Sequence, residues 1–231
     1  MNLATACNDL SLSNRILAHE GVMDAFGHVS MRHPDDPQKF LLSRSLPPSL
    51  VKPEDIISFH LDSTPAQTVD APFYAERVIH GEIYKARPDV MAVCHYHAPA
   101  VLAFCLSDLK LVPVSQMGAV LGKDVPVWDS QEDFGDTDLL VVRPEEGQSL
   151  ARRLGPNWTV LMRRHGATTV GKSLQEMTFR TINTVGNAQS QLLALGLGRC
   201  DQLTQGEIER AGMLKPMAIE RAWQYWASRL S

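Results

Sequence analysis

In the segment VCHYHAPA, residues 93–100, His95 and His97 stand two positions apart. A β-strand repeats its side-chain direction every second residue, rising about 3.3 Å per residue, so this spacing predicts two imidazoles on one face. Neutral imidazole is the commonest metal-ligating side chain, and a third ligand turns such a pair into a site. The competing reading is two half-buried histidines hydrogen-bonded to backbone at a strand end. His165, in RRHGATTVG, is the third candidate; it is expected at a strand end, where Gly166 lets backbone approach closely. Three imidazoles and an open position suit a catalytic metal, whereas structural zinc usually shows cysteines in short-range pairs. Cys7, Cys94, Cys105 and Cys200 have no CxxC spacing and read as reduced core residues.

Glu76 precedes the histidine strand on the segment that feeds it. It reads either as a solvated helix carboxylate, as the i,i+4 partner of His80, or as an acid/base aimed at the metal's open position. His80, one turn further on, is a competing ligand.

The elements that must position these residues follow from periodicity and punctuation. Residues 3–20 predict a helix closed by Gly21 in the left-handed conformation. VSM and FLLSRS predict two strands of a hairpin, followed by the break LPPSLVKP and a third strand in DIISFHLD. A helix is expected from Tyr74 to Ala86, then the strand VMAVCHYH and the short helix APAVLAFCLS. LKLVPVSQM and VPVW read as β-rich, TDLLVV as strand or helix start, and EEGQSLARRLG as helix. TVLMRRHGATTVG reads as two strands about a turn at His165-Gly166. A long helix runs to Gly196 from Ser173 and Glu176, which have capping-box spacing. From about residue 204 the tail is helical, interrupted by Gly212 and Pro216, with Trp223, Tyr225 and Trp226 clustered either on the chain's own core or against a neighbour. Strands in the middle and helices at both ends, without regular βαβ alternation, predict a mixed sheet covered on both faces.

At 231 residues one large α/β domain is the expectation, spanning 1–231. With a net charge of −4 and no long run of Lys or Arg, a nucleic-acid or membrane-surface partner is not expected; a small molecule is. No G-x-G-x-x-G or G-x-x-x-x-G-K phosphate motif is present. The N-terminal stretch lacks the pattern of a secretory signal and no segment approaches a membrane span, so the expected location is cytoplasmic.

Taken together, GVMDAFGHVSMR, the run AERVIHGEIYKARPDVMAVCHYHA and the RHG turn resemble the class II aldolase and adducin head family over most of residues 10–195. The resemblance implies an α/β/α sandwich with a largely antiparallel mixed central sheet, assembled as a homo-oligomer, generally a tetramer. It also implies His95, His97 and His165 as ligands of one divalent ion per subunit, zinc or manganese, and Glu76 as catalytic acid/base. Sugar-phosphate aldolases of the family hold phosphate with an Asn, a T-P-S-G-type loop and a Ser-Ser pair. Here GHVS, SRS and Tyr74-Ala75 stand in those places, which resembles the branch of hydroxyaromatic decarboxylases acting on dihydroxyphthalate or hydroxymethylpyridine-dicarboxylate. The implied activity is a metal-dependent, non-oxidative carboxy-lyase in aromatic compound catabolism. An aldolase for an unphosphorylated hydroxy-keto acid is the alternative, and an adducin-like interaction module the third reading. For Glu76 to donate a proton at neutral pH, burial would have to raise its pKa, unless it merely relays a proton from water or the phenol.

The expected substrate contacts are His28, Ser43, Arg44, Ser45, Tyr74 and Arg164. An arginine fork matches a planar carboxylate through two parallel hydrogen bonds, and His28 adds another donor. Tyr74 and Phe73 offer a face for a ring. Arg163 and Arg164, being adjacent on a strand, point to opposite faces, so only one is expected in the pocket.

Overall fold

The computed structural model describes residues 1–230. Among the described residues seven strands form one sheet in the order β3-β2-β1-β4-β7-β6-β5. They are β1 (His28–Arg32), β2 (Lys39–Ser43), β3 (Ile56–His60), β4 (Ala92–Tyr96), β5 (Val127–Trp128), β6 (Thr159–Met162) and β7 (Gly166–Gly171). Every pairing is antiparallel except β5 with β6. The expected hairpin of VSM and FLLSRS is the β1–β2 pair.

Period-two alternation divides the sheet's residues between two apolar layers. On β4, Ala92, Cys94 and Tyr96 face a core with Leu10 and Leu17 of α1 (Leu3–His19), Val101 of α3 (Pro99–Cys105), and Met177 and Phe179 of α6 (Leu174–Gly196). Val93 faces the other core, with Ile79 and Ile83 of α2 (Val78–Ala86) and Leu150 and Leu154 of α5 (Pro144–Leu154). A short α4 (Ser130–Phe134) precedes α5. Gly147 of α5 makes the second layer tight, since a Cβ there would lie 2.9 Å from Glu82 Cγ and 3.0 Å from the Val78 carbonyl oxygen.

Several local expectations hold, and others fail for identifiable reasons. Gly21 closes α1 at φ 71°. Ser173 caps α6 by accepting from the Glu176 N–H, but the Glu176 carboxylate turns to Arg180, 2.8 Å away, instead of completing a box. The expected helix from Tyr74 is broken: residues 75–77 form a 3-10 turn with Glu76 at φ −84°, ψ 15°, and α2 begins at Val78. LKLVPV is not a strand, because its backbone bonds to side-chain amides of α6. Asn187 bonds the Val112 carbonyl and the Val114 N–H, and Gln191 bonds the Lys110 carbonyl and the Val112 N–H. TDLLVV is neither strand nor helix start. In the tail, α7 (Gln205–Ala211) and α8 (Pro216–Ser228) are helical. Trp223 and Trp226 pack into the first core, while Tyr225 stays exposed. The four cysteines are unpaired, and no helix of the described residues is long and apolar enough to cross a membrane.

Candidate active site

His95 lies on β4 with its side chain on the α2 face, beside His28 of β1 in register. His97 falls one residue past the end of β4, and its ring stands at 86° to His95 with centroids 4.7 Å apart. The pair therefore converges without sharing one regular strand face. His165 occupies the β6–β7 turn and stacks on His97, centroids 5.0 Å and planes 13° apart. Gly166 makes that packing possible: a Cβ would lie 2.4 Å from the Tyr96 carbonyl oxygen and 2.7 Å from His97 Cδ2.

Glu76 completes the group. The 3-10 turn departs from helical geometry at this residue, and its carboxylate points inward, the residue being 8% exposed rather than solvated on a helix surface. Oε1 accepts the Val141 N–H at 2.9 Å, and Oε2 lies 3.5 Å from His95 Nε2 and 3.6 Å from His165 Nε2. Burial pushes this carboxyl up, but attraction to His95 and His165 and the hydrogen bond from Val141 prevail and hold its pKa at about 2. Glu76 is thus a carboxylate at neutral pH, so of the two routes to proton donation a raised pKa does not apply and a relayed proton does. Burial first, then His95, brings the pKa of both His97 and His165 down to about 4, so both imidazoles are neutral and free to ligate.

One ligand atom from each of Glu76, His95, His97 and His165 lies within 4.8 Å of the others. His95 Nε2 and His165 Nδ1 are buried with no hydrogen-bond partner, a costly state for polar atoms unless something else binds them. His95 Nδ1 sits 3.3 Å from Thr168 Oγ1, the kind of partner that fixes a ligand ring's orientation and tautomer. The donor set fits a divalent metal with nitrogen and oxygen ligands. His80 is outside this set. It is wholly buried, with Nε2 2.6 Å from His28 Nδ1 and Nδ1 2.6 Å from Ser30 Oγ, so neither nitrogen is free for a metal or for Glu76.

A cavity of about 620 Å³ opens over the group, and Glu76, His97, His165, His28, Ser45 and Tyr74 all line it. Tyr74 holds its place by donating its hydroxyl to the Leu46 carbonyl at 2.6 Å. Its ring lies 4.6 Å from that of His28. Ser43 sits behind it, its Oγ 3.3 Å from the Tyr74 hydroxyl and buried. The two arginines are not brought here. Arg44 follows Ser43 and so turns to the opposite side, where its Nε donates to Asp55 at 2.7 Å. Arg164 occupies a left-handed position in the turn, φ 60°, and lines a different cavity together with Arg163. Phe73 packs edge-on against Phe59 rather than lining the site. Among the described residues no Lys or Arg lines the site cavity.

Sequence reasoning missed the Val141 N–H and the cavity residues Asp24, Phe26 and Leu140. The first is a backbone group in an irregular stretch, which carries no residue-type signal. It also missed Ser30 and Tyr84, which hold His80. Their signal was present, because Ser30 is two strand positions after His28 and Tyr84 one helical turn after His80.

Residues 8–192 match the model of the class II aldolase and adducin N-terminal domain, and the chain belongs to that family. It is 32% identical to decarboxylase tropJ of Talaromyces stipitatus, across 91% of this chain and 88% of that one. It is 26% identical to the 3,4-dihydroxyphthalate decarboxylase of Arthrobacter keyseri, across 99% and 95%. The L-fuculose 1-phosphate aldolase of Glaciozyma antarctica shares the fold, with a TM-score of 0.82 and 23% identity over 98% of this chain and 88% of that one.

Proposed function

We propose that this chain is a lyase, a metal-dependent non-oxidative decarboxylase of a hydroxylated aromatic acid. The observation that carries the reading is the convergence of Glu76 with His95, His97 and His165, two of whose ring nitrogens are buried without partners. Similarity to proteins named as decarboxylases favours carboxy-lyase over aldol chemistry.

His95, His97 and His165 would hold one divalent ion, zinc or manganese, which when bound supplies Lewis-acid stabilisation of the electrons left on the substrate after C–C cleavage. The chain's own residues do the rest. Tyr74 and the neighbouring His28 flank the cavity and orient a planar ring. Glu76, ionised and fixed through Oε1 to Val141, takes the proton of the ring hydroxyl on Oε2. It then delivers that proton to the ring carbon that bears the departing carboxylate. The C–C bond electrons stay with the ring as CO₂ leaves, and the hydroxyl regains a proton from solvent.

We further infer a homotetramer working in the cytoplasm, which sedimentation of the purified protein tests; a monomer at micromolar concentration would remove the assembly.

The activity is tested by supplying zinc or manganese and a panel of hydroxyaromatic mono- and dicarboxylates. CO₂ release with recovery of the decarboxylated phenol is expected. Aldehyde release from hydroxy-keto acids without CO₂ from any aromatic acid would replace the reading with an aldolase.

A further inference from the structure

Behind the cavity a row of buried polar groups runs away from it. Tyr84 Oη lies 2.8 Å from Ser30 Oγ, Ser30 Oγ lies 2.6 Å from His80 Nδ1, and His80 Nε2 lies 2.6 Å from His28 Nδ1. Tyr84, Ser30 and His80 are at most 1% exposed, so the row is closed off from bulk solvent. His28 is its end, and that ring lines the cavity.

The row has one direction in which every proton is used. Among the described residues the Tyr84 hydroxyl has Ser30 Oγ as its single hydrogen-bond partner, and a buried phenol must donate or leave its proton unsatisfied. Tyr84 therefore donates to Ser30, which leaves the Ser30 proton for His80 Nδ1. His80 then carries its own proton on Nε2 and gives it to His28 Nδ1. With Nδ1 accepting, His28 is neutral and carries its proton on Nε2, the ring nitrogen that has no hydrogen-bond partner among the described residues. The reverse direction strands the tyrosine proton in the core.

We propose that His28 meets the substrate as a fixed Nε2–H donor, with His80, Ser30 and Tyr84 as positioning residues that set its tautomer. As a donor with its other nitrogen already engaged, His28 recognises an acceptor oxygen, the carboxylate of the substrate class proposed above, and takes no proton from it. Proton acceptance in the cavity is left to Glu76. The substrate contact rests on the proposed function; the tautomer does not.

A neutron structure of the perdeuterated zinc-loaded protein reads the tautomer directly. Deuterium on His28 Nε2, on His80 Nε2 and between Ser30 and His80 Nδ1 is expected, and deuterium on His28 Nδ1 overturns the proposal whatever the enzyme's activity. Salicylate binding to the zinc-loaded protein, by calorimetry, is the second arm. Ser30→Ala should weaken it about tenfold, roughly 1.4 kcal/mol, and Ser30→Thr, which keeps the hydroxyl, should restore it. Equal affinity in the parent and Ser30→Ala overturns the positioning role. Failure of the parent to bind salicylate, with the expected deuterium positions, overturns the substrate contact and leaves the tautomer standing.

Discussion

Glu76 Oε2 and His95 Nε2 face each other across 3.5 Å, and that histidine nitrogen is buried with no hydrogen-bond partner. The separation is too long for a good hydrogen bond, yet both groups are aimed at the same small space that His97 and His165 border. The carboxylate and the imidazole thus border, with His97 and His165, a space that could hold a metal ion.

Replacing Glu76 with Gln keeps an oxygen for the Val141 N–H and removes the proton-carrying site. Decarboxylation should fall on the order of 10²–10⁴-fold while the fold and bound metal persist, as read by single-turnover kinetics and metal content. Near-parental turnover would remove Glu76 from the chemistry.

Ala in place of His165 should lose metal and activity together, since its ring stacks on His97 and faces Glu76. Full metal occupancy in the purified variant would break up the ligand set. His80 would not replace it, because both its nitrogens are engaged by His28 and Ser30.

Gly166→Ala tests the backbone behind the site. The added Cβ would meet the Tyr96 carbonyl oxygen at 2.4 Å and His97 Cδ2 at 2.7 Å, and both the β4–β7 pairing and the His97 ring would have to give. A stability loss of about 1–3 kcal/mol is expected from such overpacking, together with weaker zinc binding. Unchanged urea midpoint and zinc affinity would show that the contact is not tight in solution.

Acid should destabilise the protein partly through His80. Burial, then His95, depresses its pKa from 6.5 to about 3. The folded state therefore refuses a proton that the unfolded chain accepts. Stability is full above pH 6.5 and is lost as pH falls from there toward 3. The urea midpoint should drop less in His80→Gln than in the parent between about pH 7.5 and about pH 5. Equal drops would mean that His80 titrates alike in both states.

The histidines were legible because their type and spacing survive without any knowledge of the fold. The layers of the sandwich were legible because apolar periodicity reports which face is covered. The direction of Glu76 was not, since Tyr74–Ala86 carries an unbroken helical pattern and the departure at Glu76 goes with a hydrogen bond from the Val141 N–H, a backbone group far along the chain. The strand reading of LKLVPV failed for a related reason. Its residues favour extended backbone, but its partners are the Asn187 and Gln191 amides of α6, and which neighbour an extended segment receives is decided by topology. Arg44 and Arg164 looked like anion binders by type; alternation after Ser43 and the left-handed turn at Arg164 send them elsewhere.

The proposed release of CO₂ from a hydroxyaromatic acid depends on a divalent ion held by His95, His97 and His165. It is tested most directly by following CO₂ release from an active acid before chelation, after exhaustive chelation, and after return of zinc or manganese. Release should stop when the metal is removed and return as about one ion per chain is restored, in the parent but not in His165→Ala. Undiminished CO₂ release from the metal-free protein would contradict it.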